Sequence, residues 1–195
     1  MITNLYIFRH GQTIWNAEGR PQGQHSYPVP LTAFGREQCC VLGEKLKDKN
    51  IQHIISSDLL RAKQSAEIIA DIIGAEVEFD EKLREIDYGV LNGAYTIERE
   101  EIFPEYKKCY KDITLKFPHG ESFFEVIERL REGFKAAAEK YAGENIGISS
   151  HGRAVVSFLN YTFKRKFFRM ENCDYIHLEY NHDSETFIPI VLPNK

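Results

Sequence analysis

The sequence Leu5-Tyr6-Ile7-Phe8-Arg9-His10-Gly11 decides the fold, because an apolar run passes directly into a His-Gly pair. Four consecutive apolar residues are typical of a strand that is buried within a parallel sheet. Residues 148–152, Ile-Ser-Ser-His-Gly, have the same form. Ligands bind at the carboxyl ends of strands in open α/β sheets, so His10 and His151 are expected to meet in one crevice.

Strand-like and helix-like patterns alternate along the rest of the chain. Strands are predicted at 53–57, 76–79 and 146–150, with an antiparallel hairpin from 175–180 and 186–192. Helices are predicted from Thr32 to about Lys47, from a cap at Ser57 or Asp58 to about Ile73, from Ser122 to Tyr141, and after His151 to about Phe163. This alternation predicts an α/β fold, a three-layer sandwich with a mostly parallel sheet and a C-terminal antiparallel hairpin.

The length of 195 residues fits a single domain, and residues 1–195 are predicted to form one. Residues 95–120 are charged, contain Pro104 and Pro118, and interrupt the alternation. We therefore expect a helical cap at about 95–120. Residues 12–31 lack periodicity and are expected to form a long loop, and loops of this length are usually functional.

Composition excludes several classes of protein. Lys and Arg number 25 against 29 Asp and Glu, a net charge of −4, which disfavours a non-specific nucleic-acid binder. No apolar run approaches the roughly 20 residues of a membrane span, and the first residues carry no basic leader, so a cytoplasmic protein is expected. The four cysteines form no C-x-x-C pair, which favours reduced thiols and no metal site.

Several common catalytic motifs are absent from the sequence. There is no G-x-G-x-x-G, Walker loop, H-E-x-x-H or G-x-S-x-G. No cysteine is followed six positions later by arginine, which excludes the loop of cysteine phosphatases.

Two arginines accompany the histidines at the predicted strand ends. Arg9 precedes His10, and Arg61 falls in the first turn of the helix after the second strand. Guanidinium groups match phosphate oxygens in geometry and charge, so the crevice is predicted to bind a tetrahedral dianion. Glu85 can reach the same crevice, where repulsion from a phosphate favours the protonated carboxyl that a general acid needs. Alone, a histidine is more typical of a structural position and either arginine of a surface charge, while Glu85 is equally typical of a solvated loop carboxylate.

These segments resemble the motifs of the histidine phosphatase superfamily, in its phosphoglycerate-mutase-like branch. Residues 9–16, Arg-His-Gly-Gln-Thr-Ile-Trp-Asn, are similar to the opening motif R-H-G-E/Q-T-x-W-N. Residues 56–66, 83–93 and 150–152 resemble the later motifs in the family's order. The resemblance covers about residues 5 to 155.

The resemblance implies a role for each candidate residue. His10 would be the nucleophile that forms a phosphohistidine, and Glu85 would protonate the leaving oxygen and then activate water. The phosphoryl oxygens would be held by Arg9, Arg61 and His151, with Asn16, Gln22, Gly23 and Gly152 completing the pocket. No metal and no cofactor are implied.

Three functions stay open at this point. The leading hypothesis is a phosphomonoesterase that acts on a small phosphorylated metabolite. A phosphoglycerate mutase would use the same phosphohistidine, but residues 92–95, Asn-Gly-Ala-Tyr, lack the Asn-Lys of the mutase pattern. A non-catalytic phosphate-binding module would have lost one of the five catalytic candidates, and all five are present.

Two basic segments bear on the ligand. The cap contains Lys107, Lys108, Lys111 and Lys116, which are expected to make the pocket basic. Residues 164–169 mix basic and aromatic side chains as a nucleic-acid patch does, but a solvated helix end or contact surface is favoured in an acidic chain, and neither nucleic acid nor membrane is expected as a partner. The oligomeric state has no signature in the sequence.

Overall fold

A six-stranded sheet forms the centre of the protein, for which the computed structural model describes residues 1–166 and 169–192. The strands are β1 (Ile2–Arg9), β2 (His53–Ser56), β3 (Glu76–Phe79), β4 (Asn145–Ser150), β5 (Tyr175–Asn181) and β6 (Thr186–Val191). Their order is β3-β2-β4-β1-β5-β6. The first four run parallel, whereas β5 is antiparallel to β1 and β6 is antiparallel to β5.

Helices cover both faces of this sheet. They are α1 (Ile14–Ala17), α2 (Ala33–Leu46), α3 (Leu60–Ile73), α4 (Arg99–Ile102), α5 (Tyr106–Lys111), α6 (Phe123–Lys140) and α7 (Gly152–Phe163). Successive side chains of a strand point to opposite faces. Leu5 and Ile7 of β1 therefore join the core formed with α6 and α7, while Phe8 joins the core formed with α2 and α3. The predicted three-layer α/β fold is confirmed.

The predicted capping box at the start of α6 is present. Ser122 Oγ accepts a 3.2 Å hydrogen bond from the Glu125 N–H, and Glu125 Oε2 accepts one of 2.9 Å from the Ser122 N–H. Two backbone donors without intrahelical partners are thereby satisfied. Behind this cap, Leu130 and Phe134 face the core as the periodicity predicts.

Two local predictions were wrong. Neither Ser57 nor Asp58 caps α3, because Asp58 instead accepts a 2.6 Å charge-assisted hydrogen bond from Arg84 Nε. The segment predicted as an irregular loop also contains the short helix α1. Thr13 starts it, since its side chain and that of Asn16 form a capping box.

The excursion at 95–120 contains α4 and α5, as the predicted cap requires. In the part of the chain that the structure describes, no helix is long and apolar enough to cross a membrane. Phe167 and Phe168 of the mixed basic and aromatic run lie outside the described residues, so the interpretation of residues 164–169 stays a prediction. The assignment of residues 1–195 to a single domain also stays a prediction.

Candidate active site

The two His-Gly segments lie side by side at the carboxyl ends of β1 and β4. These strands are parallel neighbours, and Arg9 pairs with Ser150 in their register. The next residues, His10 and His151, therefore leave the sheet at the same level. Their ring centroids are 5.2 Å apart, with 58° between the ring planes.

Hydrogen bonds fix the tautomer of His10. Its Nδ1 lies 2.7 Å from the carbonyl oxygen of Gly11. A carbonyl only accepts hydrogen bonds, so Nδ1 carries the proton and donates. In the neutral ring Nε2 then holds a lone pair, and it accepts a 3.2 Å hydrogen bond from Arg61 Nε. An imidazole in this state can attack an electrophile.

The surroundings of His10 favour its neutral form. Burial lowers the pKa of His10 well below its ordinary value, and the nearby charges of Arg61 and Arg9 lower it further. Burial also lowers the pKa of Arg61 to about 10, which leaves this arginine charged at neutral pH. The site thus combines a neutral imidazole with fixed positive charge.

His151 is fully buried beside His10. Its Nε2 lies 2.8 Å from Ser57 Oγ, and its Nδ1 has no hydrogen-bond partner among the described residues. Burial, followed by the charge of Arg61, lowers the pKa of His151 well below its ordinary value. Both histidines are therefore neutral near pH 7.

Gly152 makes room for the side chain of Arg9. A Cβ at position 152 would lie 3.0 Å from Arg9 Cδ and 3.1 Å from its Nε. Arg9 Nη1 donates a 2.8 Å hydrogen bond to the Met170 carbonyl, while the buried Nε has no partner in residues 1–166 and 169–192. An unpaired buried donor is costly, so this nitrogen favours the binding of an anion.

Glu85 lies against the N-terminus of α7. Its Oε1 accepts hydrogen bonds from the N–H groups of Ile86 (3.0 Å) and Ala154 (2.8 Å), and its Oε2 accepts one from the N–H of Arg153 (3.1 Å). The first N–H groups of a helix have no intrahelical partner and attract negative charge. Glu85 also lines the cavity described below, and Oε2 keeps a second lone pair that can carry a proton.

Arg129 fixes the backbone on which Glu85 stands. Its guanidinium donates hydrogen bonds to the carbonyl oxygens of Arg84 (2.6 Å) and Glu85 (2.9 Å). The Glu121 carboxylate holds the same guanidinium through a 2.8 Å bond to Nε. Gln24 Nε2 donates a further 2.9 Å hydrogen bond to the Glu85 carbonyl. Glu85 is therefore held at its backbone by Arg129 and Gln24 and at its carboxylate by the N-terminus of α7.

A cavity of about 340 Å³ opens above these side chains. The residues that line it include six arginines: Arg9, Arg20, Arg61, Arg99, Arg153 and Arg169. Arg20 donates to the carbonyl of Gly93 at 2.9 Å, and Arg169 forms a 2.8 Å ion pair with Glu171. This concentration of positive charge matches an anionic ligand.

Arg99 differs from Arg20 and Arg169, which both have partners. It comes from α4 in the cap, and its buried Nε has no hydrogen-bond partner within the described ranges. Tyr88 and Tyr110 line the same cavity. Burial raises the pKa of each tyrosine, so both hydroxyls stay protonated and can donate.

The prediction that cap lysines make the pocket basic was wrong. The cavity walls, as far as the chain is described, contain none of Lys107, Lys108, Lys111 and Lys116. Three of these lysines pair with exposed carboxylates, in the pairs Lys107–Glu100, Lys108–Glu105 and Lys116–Glu125. Neighbouring glutamates attract the long side chains to the surface, and Arg99 supplies the charge of the cap instead.

The remaining predicted ligand-binding residues also line the cavity. Asn16 Oδ1 accepts a 3.3 Å hydrogen bond from Asn172 Nδ2, and the Gly23 carbonyl accepts one of 2.8 Å from Arg61 Nη2. Gln22 is buried, and its Oε1 has no partner in the described chain. Polar atoms without partners therefore occur at Arg9, Gln22 and Arg99 around one cavity.

No cluster of three or more His, Cys, Asp or Glu side chains that could hold a metal ion occurs in the described residues. The expectation that the site uses neither metal nor cofactor stays a prediction.

Sequence reasoning missed Tyr88, Arg99, Tyr110 and Arg153. The sequence does contain a clue to Arg153, because this residue directly follows the His-Gly pair at the start of α7. The sequence contains no such clue to Arg99 and Tyr110, because the packing of the cap against the strand ends brings them into the cavity lining.

Comparison with known proteins gives matches over most of the chain. A sequence profile of the histidine phosphatase superfamily (branch 1) matches residues 5–190. The probable phosphoglycerate mutase GpmB of Citrobacter koseri is 34% identical over 183 residues, which cover 90% of this chain and 84% of that protein. The protein of the same name from Salmonella arizonae is 36% identical with the same coverage.

Solved structures share the fold along its full length. Bacillus stearothermophilus YhfR superposes with a TM-score of 0.87 at 28% identity, covering 97% of this chain and 96% of the other. A mycobacterial glucosyl-3-phosphoglycerate phosphatase in complex with VO3 gives a TM-score of 0.81 at 26% identity, covering 96% of each chain.

Proposed function

Because the chain belongs to the histidine phosphatase superfamily (branch 1), we propose that it hydrolyses a small phosphomonoester through a phosphohistidine at His10. The observation that carries this proposal is the state of His10. Its Nδ1 proton is held by the Gly11 carbonyl, so the Nε2 lone pair faces the arginine-lined cavity.

In the first step, His10 Nε2 attacks phosphorus and the ester P–O bond breaks. The phosphoryl oxygens bind Arg9 and Arg61, whose charges stabilise the transferring group. Arg61 Nε–H moves its hydrogen bond from His10 Nε2 to a phosphoryl oxygen as the substrate enters. The protonated carboxyl of Glu85 gives its proton to the leaving oxygen, which departs as an alcohol.

In the second step, Glu85 acts as a base. Its carboxylate takes a proton from a water molecule while the water oxygen attacks the phosphohistidine. The P–N bond breaks, and inorganic phosphate leaves the neutral His10. The hydrogen bonds that hold Glu85 at both sides support this double role, because the carboxyl must serve both steps from one position.

The other residues around the cavity complete the phosphate site. We assign Asn16 Nδ2, the amide of Gln22 and the backbone at Gly23 and Gly152 to the phosphoryl oxygens. His151 supports the same group from beside His10, and its unpaired Nδ1 is the nitrogen we assign to this contact.

The cap arginine Arg99 supports a substrate with a second anionic group. Arg9 and Arg61 are assigned to one phosphate, whereas Arg99 lines the same cavity with a buried Nε–H that has no partner among the described residues. A carboxylate or a second phosphate on the leaving group would satisfy it through a charge-assisted hydrogen bond.

Phosphoglycerate mutase activity is the second candidate. Curated relatives at 34% and 36% identity carry that name as probable mutases. The chemistry at His10 is shared, and the two activities differ only in whether water or a second substrate takes up the phosphoryl group. A panel of p-nitrophenyl phosphate, phosphoglycerates, sugar phosphates and phosphopeptides, with a mutase assay alongside, separates them by product.

Phosphoenzyme trapping tests the proposal itself. Brief incubation with a radiolabelled phosphomonoester and denaturation in alkali, where phosphohistidine survives, should leave label on the wild-type protein. His10→Ala should carry none. His119→Asn is the matched control, because His119 is exposed and its positive φ of 61° suits asparagine. Label that persists in His10→Ala would place the nucleophile elsewhere.

We also propose a cytoplasmic location. All four cysteines are free thiols in the structure, and free thiols are typical of reducing compartments.

A further inference from the structure

Two cysteines from distant parts of the chain meet beside Arg9 and Gly11, the two neighbours of His10. Cys39 lies on α2 and Cys173 lies in the turn before β5. Their sulfur atoms are 3.5 Å apart, and either thiol can donate a hydrogen bond to the other. The proposed reaction uses neither residue.

The pair is reachable through a cavity that shares no lining residue with the cavity of the candidate active site. Cys39 is fully buried, whereas Cys173 is half-buried and lines a separate surface cavity of about 270 Å³. This cavity is bounded by α2 and includes Phe34, Gln38 and Val41. A small reagent can therefore reach Cys173 first.

Both cysteines contact the backbone that holds His10. The Cys173 N–H donates a 3.1 Å hydrogen bond to the Arg9 carbonyl. A Cβ at Gly11 would lie 2.9 Å from Cys39 Sγ, so this sulfur packs against the residue whose carbonyl fixes the His10 tautomer. The Gly11 N–H is held by Ser65 Oγ at 2.9 Å.

We propose that Cys39 and Cys173 are a redox modification site, in which a low-molecular-weight disulfide oxidises them to a reversible disulfide that lowers turnover at His10. The hydrogen bond with Cys39 and burial raise the pKa of Cys173, so loss of its proton limits the first step. Once deprotonated, Cys173 attacks the reagent RSSR, forming a Cys173–S–S–R bond and releasing RS⁻. The Cys39 thiolate then attacks the Cys173 sulfur and displaces the second RS⁻. Each cysteine gives up one proton, and the two released thiolates take up the two protons as RSH.

The 3.5 Å separation of the sulfurs supports the second displacement, because the attacking Cys39 sulfur already lies next to the Cys173 sulfur. Forming an S–S bond of about 2.05 Å moves the sulfurs together by about 1.5 Å. This movement acts on Gly11 and on the turn at Cys173. A displacement of about 1 Å at a reacting group costs on the order of 100-fold in rate, so we expect the disulfide to lower kcat at least several-fold.

Equilibration of the full chain in buffers of oxidised and reduced glutathione tests the site. We expect mass spectrometry after alkylation to show Cys39 and Cys173 joined, with a protein mass lower by two hydrogen atoms and lower kcat for p-nitrophenyl phosphate at the same buffer ratio. Dithiothreitol should restore both. This thiol readout does not depend on the proposed function, so the failure of one does not imply the failure of the other.

Cys40→Ser is the matched control, because Cys40 is exposed and adjacent to Cys39, and it should respond to glutathione like the wild type. Cys173→Ser should keep its activity in every buffer. Alkylation of both thiols in fully oxidising buffer would overturn the proposal. So would a glutathione adduct on Cys173 without the internal disulfide, or a disulfide that leaves kcat unchanged.

Discussion

Arg61 Nε donates a hydrogen bond of 3.2 Å to His10 Nε2, the nitrogen that we propose as the nucleophile. This bond occupies the lone pair that must attack phosphorus. It also keeps a cation in contact with the imidazole, which opposes protonation of the ring. One arginine therefore holds the nucleophile unprotonated until a phosphoryl oxygen takes over its N–H.

The first prediction concerns the titration of His10. Its pKa is lowered first by burial and then by Arg61 and Arg9, so the ring should stay neutral well below pH 6.5. Removing a neighbouring cation favours the imidazolium, so Arg61→Met should raise the pKa. Nuclear magnetic resonance of labelled histidine measures both midpoints. The exposed Arg36→Met is the control, and an unchanged midpoint in Arg61→Met would contradict the electrostatic role.

The second prediction concerns Glu85 as the acid. Glu85→Gln keeps the size of the side chain but cannot deliver a proton, so poor leaving groups depart badly. We expect kcat/KM to fall roughly 10²- to 10⁴-fold with an alkyl phosphate and much less with an activated aryl phosphate, provided that phosphoryl transfer to His10 limits the rate.

Asp87→Asn is the matched control for Glu85. Asp87 Oδ1 accepts hydrogen bonds from the Gly89 N–H at 2.8 Å and from Asn92 Nδ2 at 2.5 Å, so it shapes the turn. Asp87→Asn should therefore change kcat/KM by the same factor for the alkyl phosphate and for the aryl phosphate. Equal losses in Glu85→Gln would instead assign Glu85 to positioning or to water activation.

The third prediction concerns the cap. Arg99→Met removes from the cavity lining a cation whose buried Nε has no hydrogen-bond partner among the described residues. For a substrate with a second anionic group we expect kcat/KM to fall roughly 10- to 100-fold, the value of a hydrogen bond to a charged group. Activity on p-nitrophenyl phosphate should stay unchanged. Lys107→Met, a cap lysine that pairs with Glu100, should leave both substrates unaffected, and equal behaviour of the two variants would remove Arg99 from recognition.

The fourth prediction concerns metal ions. We propose that Arg9 and Arg61 supply the positive charge that the transferring phosphoryl group needs. Phosphatase activity should therefore survive prolonged treatment with EDTA. Loss of activity in the chelator, with recovery on addition of Mg²⁺ or Zn²⁺, would contradict this assignment.

The fifth prediction concerns stability and pH. His10 and His151 both have folded pKa values well below the ordinary value, so between those values and about pH 6.5 the unfolded chain binds more protons. The free energy of unfolding should thus decrease as pH falls through this window, by up to about 1.4 kcal/mol per pH unit for each histidine. Urea unfolding should show a shallower dependence for the His10→Gln/His151→Gln double variant than for His119→Asn.

Much of the site could be predicted because its residues follow strand ends, which short local patterns reveal. Arg9, His10 and His151 belong to this group, and parallel register brings them together without further information. Arg99 could not be predicted, since its approach depends on how the cap packs against the strands. The prediction that the cap lysines line the pocket was wrong for a related reason, because surface carboxylates form ion pairs with them. The predicted helix cap at Asp58 was wrong because its carboxylate pairs with Arg84, which is 26 residues away in sequence.

The position of β4 between β1 and β2 has a consequence for biosynthesis. The first two strands to leave the ribosome do not pair with each other, and each waits for Asn145–Ser150 as its neighbour. Contacts between such distant segments form slowly, because the loops between them must close first. We expect nascent chains that stop before β4 to expose unpaired strand edges and to need protection from aggregation. The phosphate crevice is then among the last features of the molecule to appear, after roughly three quarters of the chain has been made.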